Sequence, residues 1–280
     1  MKVTIPRTMV WWLGMIVLIL MPTSPNHAAL NLENAVGIWL FDEIVGNEVI
    51  DSSGNENHGT FTKGADPERI RRGKFERALV FDGKDDSIDV PRSDSLKAIK
   101  TQISISVWVY PDGIQPPVRD GKTAISGGIM EKKDRSGWSL YSWESDLGAA
   151  TLTWHLSLAG VWSSANGMVV AGILDEWQHI GCTYDGKQVK FYLNGELKAE
   201  HPQEGEIRSF PDKLTLGLRS SGDHSGWFKG TIDDVAIFNT ALDDNDIEKL
   251  MNVGLGRTFD VLAVSPSDKM ATVWGRLKTR

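Results

Sequence analysis

The sequence predicts an all-β sandwich of the jelly-roll kind, and three observations carry that reading. Strand-like stretches recur at short intervals from Ala35 to Asn239, divided by turn residues. Helical periodicity appears only near Asp243. The pairs Asp185-Gly186 and Asn194-Gly195 sit where hairpins must reverse, because both tolerate positive φ. A chain of 280 residues, 41% hydrophobic and 24% charged, can build one large β domain that relies on its own core.

The chain opens with Lys2 and Arg7 followed by the apolar run Met9 to Met21, which Pro22 breaks. The run is shorter than the roughly 18 residues a membrane helix needs. Residues 1–29 therefore read as a secretory signal peptide cut after Ala28 or Ala29, with an uncleaved anchor as the competing reading. Export makes the mature chain secreted or cell-surface, with no membrane span after the signal is removed. One cysteine, Cys182, cannot form an internal bridge, and its place between Ile180 and Tyr184 marks it as an apolar filler.

Next comes "GIWLFDE", with Trp39, Phe41 and Glu43 on one parity, and then the polar loop "DSSGNENHG". "ALVFDGKDDSIDVP" reads as strand, turn, strand. In "QISISVWVYP", Ile103, Ile105, Val107 and Val109 alternate with Ser104, Ser106, Trp108 and Tyr110, a mixed face suited to a groove. "GWSLYSW" and "ATLTWHLSLAGVW" alternate large residues in the same way. In the hairpin "EWQHIGCTYDGKQVKFYLNG", Val189, Phe191 and Leu193 share a face, as do Ile180, Cys182 and Tyr184. His179 lies opposite Ile180 and reads as scaffolding, its ring bonding a strand-end carbonyl, since no carboxylate or nucleophile is placed beside it. "GWFKGTIDDVAIFNTAL" closes the strands, and Asp243 caps a short helix bearing Ile247, Leu250 and Met251.

Four of these stretches, in this order, are similar to a laminin G-like, concanavalin A-like jelly-roll domain of bacterial secreted proteins. They are "GIWLFDE…DSSGNENHG", "ALVFDGKDDSIDVP", the hairpin, and "GWFKGTIDDVAIFNTALDDNDIEKL". The resemblance covers roughly Leu32 to Met251. It implies two antiparallel sheets with one short helix near the C-terminal end and a domain over 30–252; residues 253–280 lie outside it and read as a tail with a basic end. It also implies an exported binding or adhesion module that takes glycan or an extracellular protein, often with a structural calcium.

The formal net charge of −7, with no basic block to offset it, argues against nucleic acid as partner. No closely spaced Glu, Asp and Glu lie on one strand as β-glucanases require; Glu131 and Asp134 have the wrong spacing, on a loop-like stretch. No Gly-x-Ser-x-Gly elbow and no zinc spacing among the histidines occur. A non-enzymatic module is expected, with a carbohydrate-active hydrolase or lyase as the alternative. Glu43 and Asp233 share parity with large apolar neighbours, where an unpaired charge is costly. Either backbone N–H groups or a calcium ion would relieve them, with Asp42, Asp82 and Asp234 as further candidate ligands. Among the tryptophans, Trp143 and Trp162 are expected nearest the surface as sugar platforms, against a core role for tryptophan at period-two spacing.

Overall fold

Two antiparallel sheets carry nearly all the regular structure of the computed structural model, which describes residues 30–62, 69–112, 114–119, 122–125, 127–132, 137–144, 150–158, 161–163, 168–170, 175–208, 212–219 and 226–261. The expected leader, 1–29, and the tail after 261 lie outside the described residues. In chain order the principal strands are β1 (Ala35–Trp39), β2 (Gly59–Phe61), β3 (Ile70–Arg72), β4 (Arg77–Asp82), β5 (Ile88–Val90), β6 (Ile103–Pro111) and β7 (Gly128–Lys132). There follow β8 (Trp138–Glu144), β9 (Ala150–Leu158), β10 (Gln178–Tyr184), β11 (Gln188–Leu193), β12 (Glu196–Pro202), β13 (Leu214–Leu216) and β14 (Lys229–Phe238), then helices α1 (Asp244–Val253) and α2 (Leu255–Phe259).

The first sheet runs β12, β11, β10, β6, β14, β4, β3, with β1 against the C-terminal half of β14. The second runs β9, β8, β7, β13, β5, β2 and continues into a small hairpin of Ile44–Val45 and Glu48–Val49. Alternation sends Ile103, Ile105, Val107 and Val109 of β6 into the space between the sheets. There they meet Met130, Trp138, Leu140, Trp154 and Leu216 of the second sheet. Cys182, Tyr184, Val189 and Phe191 join the same core, as the hairpin pattern requires. Burying each large side chain contributes about 1.5–3 kcal/mol, so this layer dominates stability.

The outer face of the first sheet carries a second apolar cluster. Ile38, Leu40, Tyr192, Ala236 and Phe238 pack there under Leu242, Ile247, Leu250 and Leu255. Asp243 begins α1 with a capping box, its side chain accepting from Asp246 N at 2.8 Å. Packing continues beyond 252, because Leu255 is buried and Phe259 and Val261 lie on the same cluster. The folded domain thus reaches at least Val261.

Two local breaks in alternation decide where the acids point. Ile232 and Val235 both enter the main core, three residues apart. The pairing of β14 with β6 shifts between Asp233 and Ala236, and Asp234 takes φ +44. This bulge turns Asp233 to the outer face, opposite Trp108, and overturns the core-side placement its parity with Val235 and Ile237 predicts. In the same way β1 ends at Trp39 and Phe41 has φ 62, so Glu43 is half-buried beyond the strand and not on the core face.

Turns elsewhere follow the sequence. Asp51 organises the loop before β2 by accepting from Ile38 N at 2.8 Å, Ser53 N at 2.9 Å and Asn57 N at 2.9 Å. Asn194 (φ 51) and Gly195 (φ 79) make the tight turn between β11 and β12. The Asn194 side chain also accepts from His179 N at 2.9 Å, which ties this turn to β10.

Candidate functional site

The bulge gathers three of the expected acids. Asp233 is fully buried and accepts from Phe75 N at 2.9 Å and Asp234 N at 2.8 Å. Asp234 accepts from Leu255 N at 2.8 Å, and half-buried Asp42 accepts from Arg77 N at 2.9 Å. Asp233 thereby fastens the turn before β4 to β14, Asp234 fastens the α1–α2 junction to β14, and Asp42 ties the start of β4 to the segment that follows β1. Burial pushes Asp233 up to about 8, with the charges of Asp234 and Asp42 adding to it. Burial and then Asp42 raise Asp234 to about 7, and burial foremost raises Asp42 to about 6. Hydrogen bonding to backbone amides is thus in place at these acids. Glu43 stays at the margin of the group and is itself engaged.

Asp82 belongs elsewhere. Its carboxylate lies with those of Asp85 and Asp86 so that one oxygen of each falls within 4.8 Å of the others. Among the described residues this is the acid group close enough to share one cation. Asp86 is 1% exposed; one oxygen accepts from Asp82 N at 2.7 Å and meets Arg69, while its Oδ1 has no hydrogen-bond partner among the described residues. Hard oxygen donors and an orphaned carboxylate oxygen suit calcium. Arg69, also 3.4 Å from Asp82, already offsets part of the charge.

His179 is buried against Trp108, ring centroids 5.2 Å apart, and its Nε2 lies 2.9 Å from Ser106 Oγ. A serine on the neighbouring strand, and not a strand-end carbonyl, is its partner. Burial, aided by Lys74, holds its pKa down to about 3, so the ring stays neutral and structural.

The second sheet presents a feature the sequence left unread. Met130, Leu140, Trp154 and Leu216 pair with one another and enter the core, so their neighbours face away from it. Those neighbours form a row across five strands: His155 pairs with Ser139, Ser139 with Glu131, Glu131 with Thr215, and Thr215 with Asp89. Glu131 sits in β7, correcting the loop assignment, and is 3% exposed. Ser139, His155, Thr153, Thr215 and Tyr141 are buried as well, although they point away from the hydrophobic layer. Ser139 Oγ has no hydrogen-bond partner among the described residues. Buried Arg219 lies over the Tyr141 ring, 3.8 Å from its centre. Gly128 pairs both with Tyr141 and with Trp227, so Trp227 stands beside this polar face, 38% exposed.

Trp138 and Trp154 belong to the core. Trp143 pairs with Thr151, and Trp162 with Ser157; the side chains of Trp143 and Trp162 lie outside the described residues. A separate recess of about 230 Å³ between the β10–β11 hairpin and α1 is lined by Thr183, Gln188, Lys190 and Asp243. Its polar groups already serve one another, Tyr192 donating to Asp244 at 2.6 Å beside Lys190.

A family model described as the concanavalin A-like lectin/glucanases superfamily matches residues 82–248. No curated protein matches the sequence significantly. Among solved structures, the chain is similar to domain 4 of AbnA, a GH43 extracellular arabinanase of Geobacillus stearothermophilus, in complex with arabinotriose. The two are 22% identical with a TM-score of 0.57, covering 78% of this chain and 98% of that one. The binding domain of Paraclostridial Mosquitocidal Protein 1 is 16% identical with a TM-score of 0.57, over 79% of this chain and 52% of that one. The ligand-binding domain of botulinum neurotoxin serotype D, in complex with N-acetylneuraminic acid, is 15% identical with a TM-score of 0.55, over 79% and 51%. The chain spans about half the length of those toxin domains, and at these identities the likeness is one of fold.

Proposed function

This chain belongs to the concanavalin A-like lectin/glucanase superfamily, and we propose that it is an exported, non-catalytic binding or adhesion module that recognises carbohydrate through the polar face of its second sheet. The observation that carries this reading is the row of buried polar side chains beside exposed Trp227. Ser139 Oγ, buried in that row with no hydrogen-bond partner among the described residues, is a costly group that a sugar hydroxyl would satisfy. An exposed indole offers the apolar surface on which a sugar ring stacks. The solved complexes with arabinotriose and N-acetylneuraminic acid lend support, since each is a sugar complex of a domain of the same fold. Among the described residues no helix is long and apolar enough to cross a membrane. A structural calcium completes the proposal, held by Asp82, Asp85 and Asp86.

The test is a glycan array followed by calorimetry on the full chain. Trp227→Ala should weaken the best glycan by roughly tenfold, about 1.4 kcal/mol, without shifting the melting temperature. Unchanged affinity in that variant would remove the platform. One observation favours the alternative of a hydrolase: Glu131 and Asp89 lie in one row two strands apart, so their backbones are about 9–10 Å from each other. Inverting glycosidases hold their carboxyl groups about 6.5–9.5 Å apart. Asp89, however, is engaged by Lys213 and by Thr215 at 3.3 Å. Release of reducing ends from the bound glycan, lost in Glu131→Gln, would establish the enzyme.

A further inference from the structure

The overall acidity conceals a local concentration of the opposite sign. Residues 69–77, "RIRRGKFER", hold five basic side chains against the single acid Glu76, in a chain with 30 basic and 37 acidic residues. Arg69 is taken up by Asp82 and Asp86. Arg71, Arg72 and Lys74 are exposed and form no ion pair among the described residues; Glu76 on the same hairpin, and Asp175 and Glu176 before Trp177, make none with them.

Two of these cations, Arg71 and Lys74, are held in place. β3 is the edge of the first sheet, and the turn that follows is pinned by the Phe75 amide to buried Asp233 and by the Phe75 ring against Trp108, 6.2 Å away. Lys74 lies over the Trp108 ring at 4.1 Å. Arg71 lies over the Tyr110 ring at 5.7 Å and donates through Nε to the Thr231 hydroxyl at 2.7 Å. Tyr110 and Trp177, both half-buried, meet edge to face at 5.7 Å. Basic side chains on an edge strand guard against unwanted pairing, but that role needs neither ring stacking nor a fastened turn.

We propose that this hairpin and the adjoining Tyr110–Trp177 pair form a second binding surface, for an acidic polysaccharide of the polyuronate class. A polyuronate alternates carboxylates with apolar ring faces along one strand, and this surface alternates cations with aromatic rings. Because Arg71 and Lys74 are positioned before binding, little ordering of these two opposes it. A lipid surface fits less well, since among the described residues the large exposed hydrophobic side chains, Val45, Leu197, Trp227 and Val253, lie outside this surface. The surface is on the outer face of the first sheet, so it is independent of the sugar-binding reading of the second.

The experiment measures binding of the full chain to polygalacturonate, to the same polymer fully methyl-esterified, and to vesicles containing phosphatidylserine, at low and at physiological salt. Polygalacturonate should bind, at least tenfold more tightly than its ester, and should weaken as salt rises. The pair Arg72→Glu and Lys74→Glu should lower that affinity at least tenfold. Arg72→Glu alone, at an exposed residue, should lower it severalfold with an unchanged melting temperature. Trp227→Ala should leave it unaltered, so failure here and failure of the carbohydrate-binding reading are separable. Equal binding of acid and ester, wild-type affinity in Arg72→Glu, or binding to vesicles without binding to the polymer would each overturn the proposal.

Discussion

Asp233→Asn should flatten the pH dependence of stability between about pH 8 and pH 4. In the folded protein burial raises Asp233 to about 8, Asp234 to about 7 and Asp42 to about 6, whereas the ordinary value is 3.8. Between those limits the folded state binds more protons than the unfolded chain. The stabilising contribution is therefore fully present below 3.8 and is lost as pH rises through about 8 for Asp233. This is opposite in sign to the common salt-bridged carboxylate, whose contribution is lost in acid. One proton of difference corresponds to about 1.4 kcal/mol per pH unit. Lowering the pH from 8 to 6 should thus add on the order of 2 kcal/mol from Asp233, or a rise of about 4–8 °C in melting temperature for a domain of this size. Thermal unfolding in buffers of matched ionic strength, with chelator present, reads the effect. At acid pH, where the wild-type carboxyl is protonated in both states, the variant should be the less stable, since an amide accepts only one of the two N–H bonds that the carboxyl group takes from Phe75 and Asp234. Its informative property is the slope, which should fall by about one proton. A wild-type melting temperature that declines steadily from pH 8 to pH 5, or a variant with the wild-type slope, would refute the reasoning.

Gly217→Ala should cost on the order of 3 kcal/mol in urea unfolding, because Gly217 has φ +78 and an added methyl would overlap the Phe81 ring. Cys182 is fully buried and burial pushes its thiol well up, so a thiol reagent should label it only at the rate of unfolding, in step with urea concentration. Calcium should raise the melting temperature by the equivalent of about 2.7 kcal/mol at a hundredfold excess over its dissociation constant. Asp86→Asn should remove that response; loss of the response in Asp233→Asn instead would move the ion to the bulge.

Much of the sandwich is legible in the sequence because alternation and turn chemistry act locally. Ile103 to Val109, the hairpin around Asp185-Gly186 and the Asp243 cap each announce themselves within a few residues. The site is harder to read because it depends on breaks in that alternation. Asp233 and Asp234 look like the middle of a regular strand, and only pairing with β6 across the bulge shows that one of them faces outward. Glu131 reads as loop because Ile129 and Met130 are adjacent apolar residues; the pairing shift between Gly128 and Met130 removes the period of two. Trp227 belongs to a two-residue strand, too short to carry a pattern, and its exposure is fixed by Gly128 and Leu218. His179 packs as a buried ring, and its partner Ser106 lies 73 residues away, a distance over which no spacing rule operates.

The pairing of β1 with β14 governs how this domain would respond to force. Ala35, at the start of β1, pairs with Phe238, at the end of β14, so the chain enters and leaves the ladder at the same end. A pull between the two ends of the described fold would peel the ladder one bond at a time from that pair inward, and would not shear all its bonds together. Resistance then falls to the apolar clasp outside the sheet, where Leu30 and Leu32 pack with Phe259 and Val261 on the cluster beneath α1 and α2. Until the clasp slips, load does not reach the hydrogen bonds. Once it slips, β1 can detach while the sheet order from β12 to β3 remains paired, leaving an intact template on which the strand can reseat when tension drops.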